Sequence, residues 1–218
     1  MADVVYGRRP VAEAERGRRR VLRVVTSEDA SADELTKLAG SPDHQGIVAE
    51  VEPYPYADAG ELLSAPDALI VALDQVQDPH NLGAVCRSAE AAGATGVVIP
   101  DRRSAAITPA VCKASAGAVE HLAVARVRNL ADWLDIAKAR EGLWAYGAAA
   151  DGAERYTSVE LTGPVVLVLG SEGRGLRPRV ASACDALVSI PLQGKAASLN
   201  VSAAAAILLF EAVRQRQA

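Results

Sequence analysis

From Ala68 onward the chain carries six short apolar runs, at 68–73, 96–99, 122–127, 143–147, 165–169 and 187–190, with helically patterned windows between them. Val, Ile, Leu and Ala follow one another in these runs with almost no polar alternation, so both faces of each strand need cover. Near-continuous apolar strands alternating with helices imply a parallel sheet packed by helices on both sides. The expected class is therefore α/β. In such sheets ligands bind at the carboxyl ends of the strands, where the loops converge.

The first 66 residues read differently. Arg8, Arg9, Arg16, Arg18, Arg19, Arg20 and Arg23 face only Glu13 and Glu15 in the same stretch, a basic cluster on a chain of net charge −4. Val4-Val5-Tyr6-Gly7 leads in, Pro10 suits a helix start, and 21–25 suits a strand. Ser31 followed by Glu34 suits a capped helix over 31–39, and 46–51 a second strand. This order predicts a small α/β module over 1–52. Pro53-Tyr54-Pro55-Tyr56-Ala57-Asp58-Ala59-Gly60 can continue neither helix nor strand, and 53–66 reads as a linker that holds the module off without fixing one orientation. The remainder, 67–218, is the sheet domain.

Composition narrows the function classes. With 218 residues, half of them apolar, the chain can bury a full core, and no apolar run approaches the span of a membrane helix. The N-terminus lacks a basic stretch followed by an apolar one, so the expectation is a cytoplasmic protein. Cys86, Cys112 and Cys184 are odd in number and in no C-x-x-C pair, and His44, His80 and His121 lie at no ligand spacing; reduced core thiols and no metal are expected.

Three loops after apolar strands are chemically loaded. The first runs from Asp74 through Asn81, a candidate helix N-cap, into a helix whose Leu82, Val85, Cys86, Ala89 and Ala92 share one arc, leaving Arg87 on the far side. The second is Leu169-Gly170-Ser171-Glu172-Gly173-Arg174-Gly175-Leu176. Its glycines allow close backbone approach to a ligand, but the G-x-x-G-x-G spacing at a late strand is not that of a dinucleotide fingerprint. Glu172 would repel a pyrophosphate and suits a ligand with a positive centre or hydroxyls. The third is Ile190-Pro191-Leu192 through Ser198-Leu199-Asn200, which closes on a helix where Val201, Ala205, Leu208 and Ala212 recur at helical spacing. Ser198 or Asn200 is placed to cap that helix. Lys195, Ser198 and Asn200 set polar side chains between two apolar elements, which a packed core alone would not call for.

Together, Asn81-Leu82-Gly83-Ala84 through Arg87-Ser88-Ala89, then 169–176, then Ile190-Pro191-Leu192 through Ser198-Leu199-Asn200-Val201-Ser202 resemble the three ordered motifs of the SpoU (TrmH/RlmB-like) branch of the SPOUT RNA methyltransferases. The likeness covers roughly 67–217. Tyr6-Gly7-Arg8-Arg9-Pro10-Val11 and His44-Gln45-Gly46-Ile47-Val48-Ala49 are similar to the substrate-binding N-terminal domain of the rRNA-directed members, with a shorter stretch between them.

The resemblance implies a SPOUT domain with a deep trefoil knot behind a small ribosomal-protein-like α/β domain, working as a homodimer. It implies S-adenosylmethionine-dependent methylation of a ribose 2′-hydroxyl, of a guanosine in 23S rRNA, with tRNA as the alternative substrate and a non-catalytic RNA-binding protein as the other class. The implied catalytic residues are Arg87, Asn81, Glu172, Ser198 and Asn200. The implied cofactor contacts are Leu169, Gly170, Glu172, Gly173, Ile190, Leu192, Ser198 and Leu199, and the implied RNA contacts Arg8, Arg9, Arg18, Arg19, His44 and Gln45. The helix over 201–213, with Phe210, is expected to form part of the two-fold dimer contact.

Overall fold

The computed structural model describes residues 2–140 and 142–217. The chain begins with β1 (Asp3–Tyr6), α1 (Arg8–Arg16), β2 (Val21–Thr26), α2 (Ala32–Ala39) and β3 (Ile47–Val51). The three strands form an antiparallel sheet in the order β1-β3-β2. Ser31 and Glu34 make the reciprocal capping box that starts α2. Two local readings need correction. Val4 to Tyr6 is a paired strand rather than a lead-in, and α1 starts at Arg8, two residues before Pro10. Pro10 still fits because first-turn N–H groups have no intrahelical acceptor to lose.

The larger sheet is built from β4 (Leu69–Asp74), β5 (Gly96–Pro100), β6 (Val124–Val127), β7 (Trp144–Ala148), β8 (Glu154–Arg155), β9 (Val165–Gly170) and β10 (Ala186–Ser189). It has seven strands in the order β6-β5-β4-β9-β7-β10-β8, every pair parallel. Parallel neighbours require crossovers, and the helices α3 (Pro79–Ala91), α4 (Pro109–Ala114), α5 (Leu130–Lys138), α6 (Pro178–Ala183) and α7 (Val201–Arg216) lie between or after the strands.

Side-chain alternation assigns the two faces. Leu69, Val71 and Leu73 of β4, with Val165, Leu167 and Leu169 of β9, share a core with α3, α4 and α7. Ile70, Ala72, Val166 and Val168 point the other way, into a core closed by α5 and α6. All six residues of β4 are buried, which is why its sequence shows no polar alternation. On α3, Gly83 allows α4 to come so close that a Cβ there would stand 2.5 Å from Ala114 Cβ.

The proline-rich stretch is docked, which corrects its reading as a tether. Tyr54 donates its hydroxyl to the Val119 and Leu122 carbonyls (3.1 and 2.8 Å), and Ala57 N–H donates to Val124 O (2.9 Å). The Tyr56 hydroxyl accepts from Ile107 N–H (2.8 Å). Val5, Val11, Ala14, Ala49 and Val51 belong to the same continuous core as α3 and α4. A Pro/Gly-rich composition predicts irregular backbone, but it carries no information on where tyrosines will anchor that backbone.

Cys86 and Cys112 are buried and Cys184 is half-buried, all three unpaired. Burial pushes each thiol up to about 12, so they are inert at neutral pH. No described helix is long and apolar enough to cross a membrane.

Candidate active site

The carboxyl ends of β4 and β9 lie side by side, with Asp74 paired in register with Gly170. Beyond Gly170 the chain folds back on itself. Ser171 and Gly175 form an antiparallel bridge, and Gly175 N–H donates to Ser171 O at 2.9 Å. Gly173 and Gly175 take φ of 75° and 63°, the left-handed region where a side chain is strained. Gly170 is required for another reason: a Cβ there would lie 2.1 Å from the Gly175 carbonyl carbon. The glycines thus make a tight reverse loop that carries Glu172 at its turn.

Behind this loop Asp74, only 1% exposed, accepts from Arg177 N–H (2.8 Å) and from its guanidinium Nε (2.7 Å). That pair pins the chain where it enters α6. It was missed in the sequence, although an aspartate ending a fully apolar strand is itself a signal, since a buried carboxylate needs donors.

Asn81 does not cap α3. Pro79 starts the helix and Asp78 caps it, accepting from His80 N–H at 2.9 Å. Asn81 is therefore within the first turn, and its side chain is free to reach across to the glycine loop. Its Nδ2 donates to Glu172 Oε1 at 3.0 Å. Asn200 Nδ2 donates to Asn81 Oδ1 at 2.9 Å and also to Glu172 Oε1. The Asn200 Oδ1 accepts from Ser202 N–H at 2.8 Å, making Asn200 the cap of α7. One residue from each loaded loop thus meets in a single network, 91 and 119 positions apart in the chain. Both asparagines are oriented by bonds they cannot exchange without losing one, which fixes where the Glu172 carboxylate sits.

The other expected residues are not part of this network. Arg87 is exposed on α3, about 9 Å along the helix axis from Asn81 and turned away from the Leu82, Val85, Cys86 and Ala89 face. Leu169 is buried; Gly170, Ile190 and Leu192 are partly buried; Gly173, Ser198 and Leu199 are exposed. Among the described residues, Ser198 makes no hydrogen bond. The described residues contain no cluster of His, Cys, Asp and Glu able to hold a metal.

The basic N-terminal set splits. Arg8, Arg9 and Arg18 are exposed, and so is Gln45, whose Oε1 accepts from Arg8 N–H at 3.1 Å. Arg19 is not available to RNA. It is 5% exposed, its Nε donating to Glu120 Oε2 at 2.9 Å, its Nη1 3.6 Å from Asp3 and its guanidinium over the Tyr54 ring at 5.4 Å. His44 is likewise inward, 8% exposed, with Nδ1 accepting from Gly46 N–H at 3.0 Å and Nε2 against the Thr36 hydroxyl. An arginine run shows charge but not direction, and strand and turn geometry took these two inside.

The SpoU rRNA Methylase family model matches residues 68–210. A putative TrmH family tRNA/rRNA methyltransferase of Bacillus subtilis is 44% identical over 178 residues, 79% of this chain and 71% of that protein. The 23S rRNA (guanosine-2′-O-)-methyltransferase RlmB of Pseudomonas putida is 46% identical over 179 residues, 80% of this chain and 72% of its own. Among solved structures, the SpoU methyltransferase AviRb of Streptomyces viridochromogenes, in complex with its cofactor AdoMet, is similar over 100% of this chain and 91% of that one, with a TM-score of 0.87 at 28% identity. With this cover, and with the three motif loops meeting at one network, the chain belongs to the SpoU family of RNA methyltransferases, which take their methyl group from S-adenosylmethionine.

Proposed function

We propose that this chain methylates the ribose 2′-hydroxyl of a guanosine in 23S rRNA. The observation that carries the reading is the Asn81–Glu172–Asn200 network, which draws the three motif loops to one point at the strand ends. The similarity to RlmB favours rRNA over tRNA.

The residues fit the cofactor. Around Gly173 and Gly175 the space is open, so backbone groups there can approach it. Ile190, Leu192 and Leu199 offer apolar surface for an adenine, and the backbone of Leu169 and Gly170 and the Ser198 hydroxyl offer polar contacts. Glu172 sets a carboxylate beside a ligand that carries a sulfonium. When bound, the cofactor supplies an electrophilic methyl whose C–S bond breaks as the O2′–C bond forms. The chain's part is alignment, worth about 7–11 kcal/mol where reacting atoms are held in line. Arg87, always charged, holds the neighbouring phosphate and stabilises the alkoxide that develops as the hydroxyl proton leaves to phosphate or water. Asn81, Glu172, Ser198 and Asn200 orient ribose and cofactor by hydrogen bonds.

Residues 1–52 are proposed as the RNA-reading unit, acting through exposed Arg8, Arg9, Arg18 and Gln45, with 53–66 joining it to the 67–218 catalytic domain. The chain from β9 to α7 is proposed to be threaded as a trefoil knot: β9 lies between β4 and β7, and the 190–200 segment returns to α3 through Asn200. We place the protein in the cytoplasm.

Calorimetry with S-adenosylhomocysteine, with and without a chelator, is expected to show one metal-independent site. Mapping 2′-O-methyl positions in rRNA and tRNA from cells with and without the protein then names the substrate. Absence of cofactor binding overturns the reading, and a lost methyl in tRNA replaces its rRNA arm. Gly170→Ala is expected to weaken S-adenosylhomocysteine binding about tenfold or more, because the loop must open to admit the new Cβ, at about 1–3 kcal/mol of strain. Unchanged affinity would remove that loop from the cofactor site.

A homodimer is proposed through the outer strip of α7, where Phe210 is 50% exposed beside half-buried Ala206, Ile207 and Val213. Light scattering at micromolar concentration is expected to give twice the chain mass, and Phe210→Glu to shift it toward monomer. A wild-type monomer that retains full activity refutes the dimer.

A further inference from the structure

Over the carboxyl ends of β4, β5 and β6 lies an open groove of about 840 Å³ that none of the motif residues line. Arg102 and Arg103 come from the loop after β5, Arg128 from the loop after β6, and Arg177 and Arg179 from the start of α6. Asp132 is the one carboxylate among the lining residues, and Arg179 pairs with it. Arg177 is held by Asp74. Arg102, Arg103 and Arg128 are exposed and form no ion pair among the described residues. On a chain of net charge −4, this is a concentrated and largely unneutralised positive surface.

The groove is built rather than incidental. Two of its lining residues, Gln75 and Arg103, take left-handed φ of 60° and 58° although neither is glycine. Such backbone persists only where its surroundings over-determine it, and it gathers at functional loops. The surroundings are visible: Ala105 N–H and the Ser104 hydroxyl both donate to Val76 O, at 2.9 and 3.3 Å, tying the Arg103 loop to the Gln75 loop. Between the arginines the exposed apolar surface comes from half-buried Val127 and from Ile136, which is 67% exposed. The groove also adjoins the glycine loop. A second cavity of about 330 Å³ shares Gln75, Arg103 and Arg177 with it and reaches Ser171 and Gly175 of the glycine loop.

Guanidinium groups along the walls of a trough with apolar surface between them suit phosphates on one side and sugar or base faces on the other. No lysine lines the groove, and planar donors that also stack favour a nucleotide chain over an acidic peptide. We propose that the groove is the track for the single-stranded RNA segment flanking the methylated nucleotide, with Arg102, Arg103 and Arg128 on its phosphates. This rests on the RNA methyltransferase reading above and adds where the strand runs.

The test is the full chain carrying Arg102→Gln, Arg103→Gln and Arg128→Gln together, exposed changes that leave the core intact. Fluorescence anisotropy with a labelled oligouridine of about 12 nucleotides, across a salt series, is compared with wild type. Loss of three phosphate contacts is expected to lower the slope of log affinity against log salt by about 2, and to weaken binding about tenfold or more at low salt. S-adenosylhomocysteine affinity by calorimetry is expected to stay at the wild-type value. Unchanged oligouridine affinity and slope overturn the groove, as does a variant that loses binding only to a polyglutamate peptide. A wild-type chain that binds no S-adenosylhomocysteine and transfers no methyl defeats the enzyme reading instead, while the oligouridine slopes still decide the groove.

Discussion

An Arg87→Ala chain is expected to melt with the wild type and bind S-adenosylhomocysteine equally well, while its single-turnover methyl transfer falls about a hundredfold or more. The stability half follows from position. Arg87 is exposed, its own helix buries Leu82, Val85, Cys86 and Ala89 instead, and among the described residues it has no ion pair to lose. Exposed substitutions of this kind change stability by within about 0.5 kcal/mol. The rate half follows from charge: a guanidinium cannot give up its proton at working pH, so its contribution is to the alkoxide and phosphate in the transition state rather than to proton removal. Arg87→Lys keeps the charge but not the planar pair of donors, and should fall between the two. Single-turnover rates at saturating RNA separate these effects from binding, and a near-normal rate for Arg87→Ala would take Arg87 out of the chemistry.

The outward direction of Arg87 was legible in the sequence, because helical spacing shows which side chain cannot face its own core, whereas the role proposed for it came from the family resemblance. The sheet was legible as well: β4 and β9 read as apolar runs because burial on both faces leaves no room for alternation. Asn81 was found for a partly mistaken reason. Its place near a helix start was visible, but Pro79 moved the start three residues earlier and gave the cap to Asp78. This is what lets Asn81 bond Glu172 rather than its own backbone. The arginine groove left no trace in the sequence. Its members come from two loops, at 102–103 and 128, and from the start of α6 at 177–179, and only the strand order β6-β5-β4-β9 sets these along one edge. The depth of Arg19 was hidden for the same reason, since its partner lies 101 positions away.

Replacing either Arg19 or Glu120 alone is expected to give the largest loss of stability of any charge substitution proposed. The two side chains are 2% and 0% exposed, and the pair is bidentate, with Cys112 Sγ accepting from the guanidinium at 3.4 Å. Burial works against the Arg19 charge, but the Glu120 hydrogen bonds and nearby negative charge outweigh it and hold the guanidinium more firmly protonated than usual. Arg19→Met leaves a carboxylate, and Glu120→Leu a guanidinium, buried without its partner, which costs about 3–5 kcal/mol in such sites. For a chain of this length that corresponds to a melting point lower by roughly 6–20 °C. The double change Arg19→Met with Glu120→Leu removes both charges together and should recover most of the loss, because well-packed apolar pairs replace buried ion pairs at little net cost. The location also predicts the order of failure. Arg19 precedes β2, Glu120 follows α4, and Arg18 N–H donates to Glu120 O at 3.2 Å, so this contact fastens the N-terminal sheet to the parallel-sheet domain. In either single variant, hydrogen exchange should rise first in β1, β2 and β3. Calorimetric melting and RNA affinity of the double variant decide between two roles for Arg19. Restored melting with wild-type RNA affinity makes it a fastener between the two sheets. Restored melting with weakened RNA binding returns it to the RNA-reading surface. Single variants that melt within about 1 kcal/mol of wild type would show that the pair carries little of the fold.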